Sequence, residues 1–151
     1  MAADESVVAV IGSRDYQGDI EYALMAELRG ATTVVSGGAR GVDRAAEALG
    51  EMLGLHVVSY RPQNFWQDEA RVFEVHKWVD GRNEGAVCDN DGNPLRYPTF
   101  GEAAKARNWW IVRDAGRVVA LWDGVSTGTA HGIAAATRFG RPVRIWMEGD
   151  S

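Results

Sequence analysis

Short apolar runs alternate along this chain with segments that have the periodicity of amphipathic helices. Most of the apolar runs are rich in β-branched residues, which is typical of strands buried on both faces. The segments between them repeat apolar residues every three or four positions, as one face of a helix does. The strands predicted from this pattern are residues 7–11, 32–36, 55–60, 118–122 and 143–146. The predicted helices are residues 19–28, 43–53, 101–114 and 130–139.

The order of these elements predicts an α/β fold. Strands and helices joined by short connections form parallel strands with right-handed crossovers. We therefore expect the 151 residues to form a single domain. It would contain a doubly wound, mostly parallel Rossmann-like sheet of about five strands, with helices on both faces. The connection from the third strand to the fourth must cross the sheet. The fourth strand then lies beside the first, at a topological switch point where such folds bind ligands.

An irregular insertion, residues 62–97, interrupts the pattern. Residues 65–78 could form a helix, and residues 81–98 form either a loop or a hairpin turning at residues 89–94. That turn lacks the sixth-position glycine and the distal glutamate of a calcium loop, so no metal site is predicted there. A long irregular segment in a compact domain is often a lid or a binding loop, although it is sometimes only a decoration.

Small, polar and glycine residues follow three of the predicted strands. Parallel strands end at one edge of the sheet, so these loops should surround one crevice. Helix N-termini there offer free N–H groups to a phosphate, and arginine adds a charged contact. The alternative for each loop is a plain turn, with Asp43 as an N-cap. The predicted ligand-binding residues are Gly12, Ser13, Arg14, Ser36, Gly37, Gly38, Ala39, Arg40, Gly41, Asp43, Asp123, Ser126, Thr127, Gly128 and Thr129.

The composition of the chain argues against several classes of function. The net charge of −5 and the pI of about 5.2 argue against a nucleic-acid partner, because proteins that bind nucleic acids need a basic face. The single cysteine, Cys88, permits no internal disulfide, and no zinc-binding cluster is present. No apolar stretch is long enough for a membrane span, so a cytoplasmic protein is predicted. Neither a Walker lysine motif nor a GxGxxG fingerprint occurs, which argues against P-loop NTPases and typical dinucleotide dehydrogenases.

Several motifs in combination resemble the SLOG superfamily. They are IGSR at residues 11–14, VSGGARGVD at 35–43, and RNWWIVRDAGRVVALWDGVSTGTAHGI at 107–133, followed by GRPV. This superfamily includes the DNA-processing protein DprA and the LOG cytokinin-activating phosphoribohydrolases. The likeness is greatest to the small bacterial and phage group around YspA. It covers about residues 7–60 and 97–146, and leaves residues 62–96 outside.

The resemblance implies a Rossmann-like domain that binds a nucleotide or nucleotide derivative, and it adds Arg107 and Asn108 to the expected site. The resemblance gives less support for catalytic activity. The LOG hydrolases use a glutamate three residues past the Gly-Thr of their motif, and Gly132 stands at that position here. Asp123, Asp43 or His131 could substitute, so the catalytic residue is left unassigned.

Three functions are compatible with these observations. The first is a sensor or sequestering protein for an NAD-like, ADP-ribose-like or cyclic nucleotide, with no certain cofactor beyond that ligand. The second is a hydrolase of a nucleotide glycosidic or phosphoribosyl bond. The third is a DprA-like binder of single-stranded DNA, which the acidic charge disfavours. The resemblance also implies a homodimer or a higher homo-oligomer. Trp109 and Trp110, on an alanine-rich helix, could form its interface; alternatively, one of them packs in the core and the other caps the pocket.

Overall fold

The computed structural model of the chain describes residues 4–150. It contains an α/β fold built on one sheet, as the pattern predicts. The strands are β1 (Val7–Gly12), β2 (Thr33–Ser36), β3 (His56–Gln67), β4 (Ala70–Val79), β5 (Arg82–Ala86), β6 (Arg117–Trp122) and β7 (Val143–Met147). The helices are α1 (Ile20–Leu28), α2 (Val42–Met52), α3 (Phe100–Asp114) and α4 (Thr127–Arg138).

The sheet has seven strands in the order β5-β4-β3-β2-β1-β6-β7. Strands β3, β2, β1, β6 and β7 pair in parallel, while β4 and β5 are antiparallel additions at one end. The prediction of about five strands is therefore wrong in number, although the sheet is mostly parallel. The expected place of β6 beside β1 is confirmed, with Val10 in register with Val119.

Apolar residues on the two faces of the sheet form two separate cores. Alternate residues of β1 point to opposite sides, so Val8 and Val10 pack with residues of α1 and α2. Ala9 and Ile11 pack instead with residues of α3 and α4. Both faces of the central strands are thus covered, which explains the unbroken apolar run in the sequence. This arrangement is consistent with a Rossmann-like sheet.

The insertion is largely a β-hairpin, so the prediction of a helix over residues 65–78 is wrong. Strand β3 continues to Gln67 and pairs with β4 from Val58 onward. Phe73 and Val75 pack into the core beside α3, while the intervening Glu74 bonds to polar groups. That alternation is the two-residue period of a strand. The predicted hairpin turn at residues 89–94 is confirmed by a bond from the Asp89 N–H to the Asn93 carbonyl.

Pro62 does not end β3, because of the position it occupies in the sheet. Strand β2 pairs with β3 only as far as Ser59, so the later part of β3 has a free edge on that side. Proline lacks an N–H donor and is tolerated at such an edge. A tight turn at Asp68 and Glu69, whose φ angles are 50° and 64°, connects β3 to β4. A proline at the free edge of a strand therefore looks like a strand end when only the sequence is available.

Among the helices within residues 4–150, none is both long and apolar enough to cross a membrane. The same part of the chain holds no cluster of three or more histidine, cysteine or acidic side chains suited to a metal ion.

Glu27 joins helix α1 to the strands at the other end of the sheet. Its side chain is buried and accepts a bond from Arg117 Nη1 at 2.9 Å. It also forms an ion pair with Arg144 Nε at 2.8 Å and accepts a hydrogen bond from the indole N–H of Trp146 at 3.1 Å. Three charged or polar donors therefore converge on one buried carboxylate.

Glu27→Gln is expected to lower the free energy of unfolding by about 2 kcal/mol, because bonds between charged groups are lost within a largely buried cluster. Urea denaturation measures this change. Glu21→Gln, at an exposed site on the same helix, serves as the matched control and should shift stability far less. Equal effects of the two substitutions would contradict a special role for Glu27.

Candidate functional site

A cavity of about 360 Å³ lies at the carboxyl ends of β1 and β6. We call it the edge cavity. The predicted residues that line it are Gly12, Arg14, Ala39, Asp43, Arg107, Asn108, Ser126, Gly128 and Thr129. Ile11, Asp15 and Ile111 also line it and were not predicted. All three predicted loops therefore contribute to one concave site.

Two helices begin at the edge cavity without a side-chain cap. Helix α2 begins after Gly41 and α4 after Ser126, and neither residue makes a capping hydrogen bond. The other two helices are capped, α1 by Asp19 and α3 by Thr99. Uncapped N-termini present N–H donors and the positive end of the helix dipole. The edge cavity is thus suited to an anion.

Helix α4 begins earlier than predicted, at Thr127 rather than near residue 130. Thr127, Gly128 and Thr129 therefore form the first turn of the helix instead of a free loop. Gly128 has open space where a Cβ would project, and Thr127 is exposed. The first turn of a helix is where backbone N–H groups lack internal partners. The change of boundary therefore places these residues where an anion would contact the helix.

Asp43 and Arg107 bring two buried charged groups to the edge cavity. The side chain of Asp43 is only 6% exposed, and burial raises its pKa to about 6 although Arg107 opposes the shift. Burial also lowers the pKa of Arg107, against the effect of Asp43. For both groups desolvation outweighs their mutual attraction. Arg107 Nε has no hydrogen-bond partner within residues 4–150, so part of this guanidinium is unsatisfied.

The turn after β2, residues 37–40, fits closely between side chains on both sides. We call it the glycine turn. A Cβ at Gly37 would lie 2.9 Å from Arg107 Nε and 3.0 Å from Asp43 Oδ2. The Ala39 N–H donates to Asp43 Oδ2 at 3.2 Å, and Arg107 Nη1 donates to the Gly37 carbonyl at 3.3 Å. Glycine at position 37 is therefore required by close packing rather than by flexibility.

Ser13 connects the first and third loops. Its side chain is buried, lies 3.4 Å from Thr129 Oγ1, and accepts the Asp123 N–H at 3.1 Å. Asp123 in turn accepts the N–H groups of Ser126 and Val125, which lower its pKa. The hydrogen bonds of Ser13 and Asp123 therefore shape the loops, and neither residue lines the edge cavity.

Other predicted residues also lie outside the cavity lining. The Ser36 hydroxyl donates to Glu47 on α2. Arg40 is exposed, and Gly38 packs against Arg61 on β3. Gly41 forms the N-cap of α2 with φ of 84° and ψ of −122°, and a Cβ there would lie 2.5 Å from the Arg14 carbonyl oxygen. Their roles in the structure are to form the glycine turn and join it to its neighbours.

Asn108 links the two helices beside the edge cavity. Its amide nitrogen donates to the Gly128 carbonyl at 3.2 Å and lies 3.1 Å from His131 Nδ1. Burial and the neighbouring Lys105 lower the pKa of His131, which favours the neutral ring. An asparagine N–H pointing at Nδ1 leaves the ring proton on Nε2. Asn108 thus orients both the start of α4 and His131.

Glu47 and Arg61 were missed by the sequence reasoning, yet they lie directly behind the glycine turn. Glu47 is one helical turn after Asp43, so helical spacing could have indicated that both carboxylates lie on one side of α2. Nothing in the sequence pattern indicated Arg61, because its strand seemed to end there. Both residues line a groove of about 670 Å³ between α2, β3 and β4.

No protein-family model matches this chain, and a search of curated proteins finds no match either.

Gly41→Ala is expected to destabilise the protein by about 1–3 kcal/mol, because the new Cβ clashes with backbone and the dihedral angles are unfavourable. Gly54→Ala is the matched control. Gly54 has φ of 75° but open space around a Cβ, so its substitution should cost only the strain, about 1 kcal/mol. Thermal or urea unfolding measures both. Similar losses in the two variants would exclude the clash as a cause.

Stability should depend on pH through Asp43. The carboxyl has a pKa of about 6 in the folded protein and about 3.9 when unfolded. As the pH falls from about 7 to about 5, the folded state takes up a proton that the unfolded state does not, so this group adds stability. Asp43→Asn lacks that contribution. Urea unfolding should show wild type gaining stability relative to the variant on acidification. A difference that is constant with pH would contradict a raised pKa.

Proposed function

We propose that this protein binds a nucleotide or nucleotide derivative in the edge cavity, as a sensor or sequestering protein. One observation carries the proposal: the first turns of two helices without side-chain caps and the buried side chain of Arg107 contribute to the lining of the same cavity. A phosphate would accept bonds from the first-turn N–H groups and from the guanidinium. It would also balance the positive charge that Asp43 neutralises only in part.

The size and lining of the edge cavity support a small ligand. Ligand sites in proteins range over about 300–1,000 Å³, and this cavity is near the lower end of that range. Ile11 and Ile111 provide an apolar part, while Asp43 and Asn108 can bond to hydroxyl or amide groups. A nucleotide can make all three kinds of contact: its phosphate with the anion site, its base with the apolar part, and its sugar hydroxyls with Asp43 and Asn108. The motifs that resemble the SLOG superfamily supply these residues, and we propose membership of that superfamily on the same grounds.

The position of Gly132 supports binding without turnover. A Cβ at this residue would lie 2.6 Å from Ile11 Cδ1, because the start of α4 packs directly on β1. A glutamate of the LOG type would therefore need its neighbours to move. Without such a carboxylate, the positive charge that develops on a sugar during glycosidic cleavage lacks its usual stabilising group.

A hydrolase remains the second candidate, because Asp43 is a titratable carboxyl group that lines the cavity. Its pKa of about 6 is near the range that suits a general acid or base. Cleavage would transfer a proton to the departing base and add water to the sugar carbon. Asp123 is a weaker candidate, since its carboxylate already accepts bonds from backbone N–H groups.

Isothermal titration with ATP, AMP, NAD, ADP-ribose and cyclic ADP-ribose tests the proposal, with nuclear magnetic resonance of each mixture to detect breakdown. Arg107→Met should weaken binding of the preferred ligand about tenfold or more, because a charged hydrogen bond of about 1.5–3 kcal/mol is lost. Arg113→Met, on the exposed side of the same helix, is the control and should bind as wild type does.

Binding without breakdown supports a sensor. Breakdown that Asp43→Asn abolishes favours the hydrolase. Failure of every compound to bind would reject the proposed function.

A further inference from the structure

Arg61 occupies an unusual position, between the hairpin and the glycine turn. Its Nη2 donates to Glu47 Oε1 at 2.8 Å, and its Nε donates to Ser59 Oγ at 2.9 Å. The guanidinium lies over the ring of Trp78 on β4, with Cζ 5.2 Å from the ring centroid. These contacts fix the position and orientation of the guanidinium plane. Lysine could not reproduce them, because its ammonium group lacks a planar fork of donors.

The fixed guanidinium lies against the backbone of Gly38. A Cβ at Gly38 would be 2.6 Å from Arg61 Nε and 2.9 Å from Ser59 Oγ, and the φ of 70° at this residue also favours glycine. On the other side of the turn, Gly37 packs equally closely on Arg107. The glycine turn is therefore held between two arginines, one from the hairpin strand and one from α3.

Helix α2 provides a carboxylate on each side of this arrangement. Glu47 accepts Ser59 Oγ at 3.1 Å, the Ser36 hydroxyl and Arg61, and its side chain is 14% exposed. Asp43, one turn earlier, accepts the Ala39 N–H within the edge cavity. Carboxylates on successive turns of α2 thus contact the two sides of the turn, Asp43 through the Ala39 N–H and Glu47 through Arg61, although only Asp43 lines the cavity.

We propose that Arg61 is a positioning residue for the edge cavity, acting through Glu47 and Gly38 to hold the glycine turn in its binding conformation. This inference rests on the proposed function. It gives the hairpin, which lies outside the motifs of the site, a part in ligand binding that needs no direct contact with the ligand.

Glu47 adds an electrostatic link between the two sides. Its negative charge is one of the influences that raise the pKa of Asp43. The other charged groups facing Asp43 are Arg107 from α3 and, from the loop after β1 that lines the same cavity, Arg14 and Asp15. Substitution of Glu47 by glutamine keeps the shape and removes the charge. The pKa of Asp43 should then fall, a change that loss of packing alone would not predict.

The binding experiment compares Arg61→Met with Arg71→Met. Arg71 is a matched control because it also lies on the hairpin over a tryptophan, 5.6 Å from the ring centroid of Trp66, but away from the glycine turn. Titration with whichever of AMP, NAD or ADP-ribose binds wild type most tightly should show about tenfold weaker binding for Arg61→Met. Arg71→Met should bind as wild type does. Arg61→Lys should recover only part of the affinity, since it restores charge without the planar contacts.

Measurements without a ligand separate this inference from the proposed function. Amide chemical shifts of residues 37–40 should change in Arg61→Met and not in Arg71→Met. In Glu47→Gln, carboxyl carbon resonances should show Asp43 titrating at a lower pH than in wild type. If no nucleotide binds wild type, the proposed function fails and the amide shifts of residues 37–40 still decide whether Arg61 positions the turn. Wild-type affinity in a folded Arg61→Met, or unchanged amide shifts, would overturn the inference. If Arg61→Met does not fold, Arg61→Lys is measured in the same way.

Discussion

The parallel pairing of β1 on both of its sides is the constraint on which the rest of this structure depends. Its backbone is bonded to β2 and β6, and Val8, Ala9 and Val10 are fully buried. Parallel strands all run from one edge of the sheet to the other, so the carboxyl end of every parallel strand lies at the same edge. The glycine turn, the loop after β1 and the start of α4 meet there for this reason. The edge cavity is a consequence of strand order before any side chain is considered.

The charged groups and helix ends at the edge cavity are incompletely stabilised by the protein itself. Burial shifts both Asp43 and Arg107 toward their neutral forms, which means that the protein solvates neither charge fully. Two helix N-termini in the same place are left without side-chain caps, while the helices that start elsewhere have them. Capping and complete charge pairing would stabilise the protein further. Under the proposed function, an anionic ligand would supply the interactions that are missing.

The hairpin enlarges the sheet and also supports the glycine turn from behind. Strand β3 passes the end of β2 and continues past the edge at which the cavity lies, carrying Arg61 to the back of the turn. Helix α3 packs against the other face of the hairpin through residues such as Phe73 and Val75. Since α3 also carries Arg107 and Asn108, the hairpin and the site share one rigid support. In the proposed binding site, the insertion would act without supplying a contact residue.

The sequence by itself determined the class of fold, most element positions and the edge at which the polar loops meet. Those features depend on local periodicity and on the short connections of parallel strands, which are properties of neighbouring residues. Tertiary structure alone decided the rest. Pro62 lies within a strand because its edge happens to be free, and Ser36 turns away from the cavity because Glu47 accepts its hydroxyl. Ser13 joins loops rather than lining the site, and Arg61 lies behind the glycine turn, since contacts between residues distant in sequence set each side chain's environment.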